Sequence, residues 1–184
     1  MKIFRNFLAL TLTIMALSFV NVNAQSFSDG KRQSARTLEQ MVFKEIVTLP
    51  RYGVFDHIAF KIDGGTVTLY GNVISLGLKD QAGRIVKKVA GVQSVVNDIR
   101  ELPPSGFDDQ IRRSMLRSFA DKGLYQYLWE PRPSVRIVVD RGRVTLEGYV
   151  SNRGDYNLMN ILASGVPGVF GVQNNLIIGK EQVR

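Results

Sequence analysis

The sequence contains no cysteine and only one histidine, His57, among its 184 residues. Without cysteine the chain can form neither disulfides nor thiolate metal sites, and it cannot carry a lipid on an N-terminal cysteine. A single histidine also excludes a histidine pair as metal ligands. The serine-hydrolase, zinc-protease and phosphate-loop motifs are absent from the sequence as well. We therefore expect no catalytic residues, no metal and no cofactor.

Long apolar runs are equally scarce, and the one present lies at residues 7–20. It follows a short basic start and precedes small residues at Val22 and Ala24, which is the layout of a secretory signal peptide. The run is shorter than the roughly 20 residues that a membrane span needs. We therefore expect residues 1–24 to be a signal peptide and the remainder to be a soluble periplasmic protein, not a lipoprotein. An uncleaved anchor and secretion beyond the cell are the alternatives.

Positive charge is in excess, with 24 lysines and arginines against 16 acidic residues and a formal net charge of +8. The excess is spread along the chain, and the second half is the more basic. Export argues against nucleic acid as a partner, whereas an anionic membrane surface or an acidic polymer suits such charge. A basic solvated surface without a specific partner explains the charge equally well.

One twelve-residue pattern occurs twice, as IDGGTVTLYGNV at 62–73 and VDRGRVTLEGYV at 139–150. The same shift aligns the following residues without a gap, and apolar positions match apolar positions along both copies. Two copies favour tandem domains over a solenoid. The expected order is a flexible N-terminal stretch at 25–36, a first domain at 37–102, a linker at 103–107 and a second domain at 108–180.

Each copy repeats the same order of secondary-structure patterns. HIAFKI and TVTLYGNV alternate apolar and polar residues, which indicates strands with one buried face. The stretches 82–89 and 159–166 instead place apolar residues at helical spacing. A helix precedes each hairpin and a strand closes each copy. The sequence thus predicts an α+β fold of two tandem αββαβ domains, each with a three-stranded sheet and two helices on one face.

Certain residues are predicted to form turns or to allow close packing. Aspartate and glycine suit the tight hairpin turns, and a glycine in the core-facing register indicates that another element approaches closely. Glycines after the helical stretches are expected to end the helices. These structural residues are Asp63, Gly64, Gly65, Gly71, Gly91, Asp140, Gly142, Gly148 and Gly168.

The order strand, Asp-Gly turn, VTLxG, helix and GVxxVxN resembles the BON domain of bacterial envelope proteins. Both copies carry it, and the resemblance covers about 37–103 and 107–180. The arrangement is similar to dual-BON periplasmic proteins, both osmotically induced and outer-membrane-associated. The resemblance implies an αββαβ fold, an envelope location, affinity for phospholipid and a role in envelope maintenance or stress protection, but no enzymatic activity. Lipoprotein relatives carry an anchoring cysteine that this chain lacks.

The second copy contains an insertion that the first copy lacks, at residues 122–134. The insertion is rich in aromatic residues, and the helix before it is rich in arginine. Aromatic side chains favour the headgroup layer of a membrane, and cations attract anionic lipid. In some dual-BON relatives the first helix of the second domain contacts lipid, and the matching helix here is 108–121. The candidate lipid-binding residues are Arg112, Arg113, Arg117, Lys122, Tyr125, Tyr127, Trp129 and Arg132.

Two interpretations of the second copy remain open. In the first, the protein is a non-catalytic envelope module that binds an anionic phospholipid surface. In the second, it is a periplasmic protein–protein interaction module that binds another envelope protein and no lipid. In that second interpretation the exposed sheet edges and the basic second domain would dock the partner. A separate alternative to lipid binding is that the tryptophan and tyrosines only cover the seam between the domains while the arginines are solvated.

Overall fold

The computed structural model describes residues 22–129 and 132–179. The chain divides into two units, residues 1–37 and 38–184, and both sheets lie in the second unit. Within the described ranges no helix is long and apolar enough to cross a membrane. The predicted signal peptide lies outside the described residues, except for its last three positions.

The helices and strands follow one another in the order predicted for two αββαβ domains. The first domain contains the end of helix α1 (Val22–Val47), then β1 (His57–Asp63), β2 (Thr66–Val73), α2 (Leu78–Val86) and β3 (Ser94–Glu101). The second contains α3 (Gly106–Asp121), a short 3-10 helix (Tyr125–Tyr127), β4 (Val135–Asp140), β5 (Arg143–Val150), α4 (Arg153–Ser164) and β6 (Gly171–Ile178). The prediction of an α+β fold with two such domains is confirmed.

Two element boundaries differ from the sequence prediction. Residues 25–36, predicted to be flexible, lie within helix α1 (Val22–Val47). This stretch contains no proline and a single glycine, Gly30, so little in it stops a helix. Helix α3 begins at Gly106, inside the predicted linker, because Ser105 caps it there.

Both sheets have the same topology. In each, the first two strands form an antiparallel hairpin and the third pairs in parallel with the second. The second strand of the hairpin, β2 or β5, is therefore central. A parallel pair requires a crossover connection, which α2 and α4 provide. The register places Asp63 opposite Thr66 and Asp140 opposite Arg143, next to the hairpin turns.

Each domain has its own hydrophobic core. Leu38, Val42 and Ile46 of α1 pack into the first core together with Val67 and Leu69 of the central strand. The equivalent residues of the second core are Ile111, Met115, Phe119, Val144 and Leu146. Burying a side chain of this kind stabilises a fold by about 1.5–3 kcal/mol. Because their buried residues match, the two copies keep the same fold although their exposed residues differ.

Gly71 and Gly148 occupy the same place in the central strands. Their φ angles are 123° and 115°, and a Cβ atom would lie 2.2 Å from the His57 carbonyl oxygen or 2.0 Å from that of Ser134. The close neighbour is thus backbone: His57 of β1 for Gly71, and Ser134, directly before β4, for Gly148. Gly91 and Gly168 lie in turns beyond α2 and α4 and do not end these helices, which corrects the sequence prediction. The remaining predicted turn residues lie at the hairpin ends: Asp63, Gly64, Gly65, Asp140 and Gly142.

The two domains pack against each other along β4. The Ile137 amide donates to the Val54 carbonyl over 2.8 Å, and Arg136 donates to the Gly53 carbonyl over 2.8 Å. The Arg136 guanidinium also stacks 4.3 Å from the ring centroid of Tyr52. At the far end of β4, Arg100 pairs with Asp140. These contacts, which no pattern in the sequence indicated, join two domains that each have their own core.

His57 lies at this seam. Burial, and secondarily the positive charge of Arg136, lowers the pKa of His57 from 6.5 to about 4. Protonation would place a second cation beside Arg136 in a poorly solvated position. The imidazole is therefore neutral in the folded protein at neutral pH.

The neutral state of His57 predicts a stability that depends on pH. Between pH 6.5 and about 4 the unfolded chain binds a proton that the folded chain does not, so the free energy of unfolding falls as the pH is lowered. We expect His57 to account for about 2 kcal/mol of this fall, a value discounted for its partial exposure. Urea unfolding across this range should show a smaller fall for H57Q than for the wild type. Equal falls in the two proteins would contradict the assignment.

Candidate membrane-binding surface

Helix α3 has one buried stripe and one exposed stripe. The Ser105 hydroxyl accepts the Asp108 amide over 3.2 Å and caps the helix. Ile111, Met115 and Phe119 face the core, at the spacing that the sequence indicated. Side chains at intervals of three and four residues share a helix face. The exposed stripe consists of Gln110, Arg113, Arg117 and Asp121.

Arg112 is not on the exposed stripe, contrary to the sequence prediction. Its side chain is 3% exposed and donates to the Val139 carbonyl oxygen and to the Asp109 carboxylate. Arg112 directly follows Ile111 and precedes Met115 by three residues, so it lies at the edge of the buried stripe. A cation held in this way cannot contact a membrane, and we remove Arg112 from the candidate set.

Tyr127 is the second predicted site residue that is buried. It is 5% exposed, and its hydroxyl accepts the Ser151 amide over 3.1 Å and hydrogen-bonds the Asp155 carboxylate. Leu124 and Leu128 are buried in the same core. The insertion is therefore anchored to its own domain by three side chains, and Tyr127 has a structural role.

The anchored turn presents two aromatic side chains to solvent. Tyr125 is 60% exposed and Trp129 is 61% exposed. The Trp129 amide donates to the Tyr125 carbonyl over 3.1 Å, so the two residues belong to one turn. Such exposure contradicts the alternative in which the aromatic residues cover the seam between the domains.

Four cations accompany these aromatic residues. Arg113 and Arg117 lie on the exposed stripe of α3, Lys122 follows the helix, and Arg132 follows the turn. All four are exposed, and none forms an ion pair within residues 22–129 and 132–179. Six residues make up the candidate membrane-binding surface: Arg113, Arg117, Lys122, Tyr125, Trp129 and Arg132.

A catalytic or metal site has no support in the described part of the chain. No group of histidine, aspartate and glutamate there could hold a metal ion. Asp63 and Asp140 belong to hairpins of different domains, and Asp140 pairs with Arg100. These two carboxylates thus belong to hairpin turns, and Asp140 also to an ion pair.

Both copies of the repeat match one known domain family. The family model of the BON domain matches residues 35–103 and again residues 108–180. The chain belongs to the BON domain family. The family is generally non-catalytic, which agrees with the absence of any catalytic motif in the sequence. The curated proteins include no match to this BON chain.

Two solved structures share 12% sequence identity with the BON chain. One is the C-terminal domain of CdsD, the structural protein of the type III secretion system of Chlamydia trachomatis; the match covers 77% of this chain and 96% of that chain, with a TM-score of 0.32. A second CdsD structure from the same organism matches 78% of this chain and 94% of that chain, with a TM-score of 0.31. TM-scores this low carry no functional argument.

Proposed function

We propose that the protein is a non-catalytic module of the bacterial envelope that binds anionic phospholipid through its second BON domain. The observation that carries this proposal is the exposed pair Tyr125 and Trp129, on an anchored turn that is accompanied by exposed cations. The sequence predicts export, and the family is envelope-associated. A role in envelope maintenance, or in protection against envelope or osmotic stress, follows from the same proposal.

The membrane-binding surface combines the two features that interfacial binding requires. Tyrosine and tryptophan rings insert at the headgroup layer, where an apolar body and a polar tip are both satisfied. Each lysine or arginine near an anionic surface contributes about 1 kcal/mol, and salt screens this contribution. The anchored turn also fixes the backbone that carries these side chains before binding, so little backbone entropy is lost.

The protein's only tryptophan makes the proposal directly testable. Trp129 is exposed, so its emission should shift to the blue when the turn enters the headgroup layer. We expect this shift with vesicles containing phosphatidylglycerol, a reversal at high salt and no shift with pure phosphatidylcholine vesicles. A protein-interaction module without lipid binding would show no shift with either vesicle and no sedimentation with them.

Removing two charges from α3 is expected to weaken vesicle binding. The variant R113Q/R117Q should bind phosphatidylglycerol vesicles about 30-fold less tightly, corresponding to about 2 kcal/mol. The matched control is K87Q/K88Q, which removes the same charge from exposed positions of the first domain. Co-sedimentation measures both affinities. Equal weakening by the two variants would show that binding depends on net charge and not on this surface.

Removing one aromatic ring tests the apolar contribution separately. We expect Y125A to reduce vesicle affinity about tenfold while retaining Trp129 as the probe. The control is Y70A, since Tyr70 is 45% exposed on the sheet of the first domain. If Y125A bound as tightly as Y70A, the Tyr125 ring would have no part in the membrane contact.

A further inference from the structure

The start of α3 carries an apolar cleft that the proposed function does not use. The cleft has a volume of about 190 Å³ and is lined by Phe107, Gln110, Ile111, Pro167 and Gly168. Phe107 stacks on Phe170, with ring centroids 6.0 Å apart. These rings are 47% and 73% exposed, although each is large and apolar. Together with Arg141 and Arg143, the two rings and the cleft are called the phenylalanine corner below.

The first domain provides an internal comparison for this corner. The repeat aligns Phe170 with Gln93, and the α1 position equivalent to Phe107 is Ser34. Gln93 and Phe170 have the same structural role: each side chain packs on the backbone of a turn glycine. The glycine is Gly65 for Gln93 and Gly142 for Phe170. A glutamine therefore suffices for the fold. The phenylalanine is an addition of the second domain that exposes apolar surface to water.

Positive charge at the corner is also specific to the second domain. Arg141 and Arg143 occupy the places of Gly64 and Thr66. The Arg141 side chain is 84% exposed, and its backbone has a φ of 52°, a conformation that costs a non-glycine residue about 1–2 kcal/mol. The first domain uses glycine at the equivalent turn position. The second domain thus combines a strained, exposed cation with exposed rings.

The nearby carboxylates neutralise this charge only in part. Asp108 is buried and accepts the backbone amides of Arg141 and Gly142. Asp140 pairs with Arg100 across the seam. The second carboxylate oxygen of Asp140 lies 3.9 Å from Nε of Arg141. Arg143 forms no ion pair among the described residues. The corner therefore presents net positive charge beside an apolar cleft.

We infer that the phenylalanine corner binds an acidic peptide segment of a partner protein, with one apolar side chain of that segment entering the cleft. A concave cleft below the usual range of about 300–1,000 Å³ for small-molecule pockets suits a single side chain. Aromatic residues and arginine dominate the energetics of protein interfaces. A flat membrane could contact the exposed rings but would leave the cleft unfilled.

This site lies at the opposite end of α3 from the aromatic turn of the membrane-binding surface. Helix α3 has 16 residues and is therefore about 24 Å long, with Phe107 in its first turn and Lys122 beyond its last. The proposed function can fail while this inference holds, and the reverse is equally possible. Substitutions at one end of α3 should leave binding at the other end unchanged.

The test uses short synthetic peptides and amide chemical shifts of the 15N-labelled protein. Each peptide has one apolar residue (leucine, isoleucine, phenylalanine or methionine) between two pairs of glutamates. We expect at least one peptide to shift the amides of Gly142, Gly168 and Phe170. F170Q, which installs the residue of the first domain, should weaken that peptide at least tenfold. The matched control I161Q removes another exposed apolar side chain, 66% exposed on α4, and should not weaken it.

Several results would overturn the inference. The first is that no peptide shifts these amides, or that serine in place of the apolar residue binds equally well. Equal binding of peptides with lysine in place of glutamate would exclude the charge argument. If phosphatidylglycerol vesicles perturb these amides and F170Q abolishes that effect, the corner contacts membrane instead. If F170Q removes a concentration-dependent self-association, the occupant is a second copy of the chain. Y125A, at the far end of α3, should retain peptide binding.

Discussion

Substituting alanine for Gly148 is expected to lower the free energy of unfolding of the second domain by about 4 kcal/mol. The φ of 115° is unfavourable for any residue with a Cβ atom. That atom would also lie 2.0 Å from the Ser134 carbonyl oxygen and 3.0 Å from its carbon. Both neighbours are backbone atoms of Ser134, directly before β4, so no side-chain rotation relieves the clash. Strands β4 and β5 would have to separate locally.

Urea unfolding followed by circular dichroism measures this loss. The matched control is G171A, because Gly171 is also a strand glycine but lacks a positive φ, and a Cβ atom there would have no heavy atom within 4 Å. G71A tests the equivalent position of the first domain, where the clash is with His57. If G148A were as stable as G171A, the backbone at this position would not need a glycine.

Substituting alanine for Asp108 is expected to cost about 3 kcal/mol of unfolding free energy. Asp108 is 4% exposed and accepts the Arg141 amide over 3.0 Å and the Gly142 amide over 2.8 Å. Hydrogen bonds to a charged acceptor contribute about 1.5–3 kcal/mol each, and their loss leaves the amide of the buried Gly142 without a partner. The carboxylate thus fastens the second hairpin turn to the start of α3.

Two measurements distinguish the anchoring of the hairpin turn by Asp108 from an effect of Asp108 on helix stability alone. D108A should accelerate hydrogen exchange at the Gly142 amide in addition to lowering the urea midpoint. The control D121A removes an exposed carboxylate from the end of the same helix and should change stability little. Unchanged exchange at Gly142 in D108A would mean that the turn does not depend on this carboxylate.

Local patterns predicted the fold because they reflect local physics. Period-two alternation in TVTLYGNV and RVTLEGYV reports a strand with one buried face, and helical spacing of Ile111, Met115 and Phe119 reports a buried stripe. The repeat doubled this information, since two copies with matching core positions must bury them in the same way. Helix ends were less certain, because α1 continues back through residues 25–36 where nothing in the sequence stops it.

The candidate surface was only partly predictable. Arg113, Arg117 and Trp129 proved exposed, whereas Arg112 and Tyr127 are buried. Whether a polar side chain at the edge of a helix stripe is buried depends on what lies opposite. For Arg112 the partner is the Val139 carbonyl, and for Tyr127 it is the Ser151 amide and Asp155, all more than 20 positions away in the chain.

The sequence by itself determined that this protein has two αββαβ domains of one family and that the second copy carries extra basic and aromatic residues. Tertiary structure alone decided that the domains meet along β4, that Asp108 clamps a hairpin, and that Phe107 and Phe170 form an exposed corner. The physical reason is the separation along the chain of the residues that determine each feature. Periodicity records which face of one element is buried, whereas seams, clamps and clefts arise where distant segments meet, and their chemistry depends on pairs that no local pattern specifies.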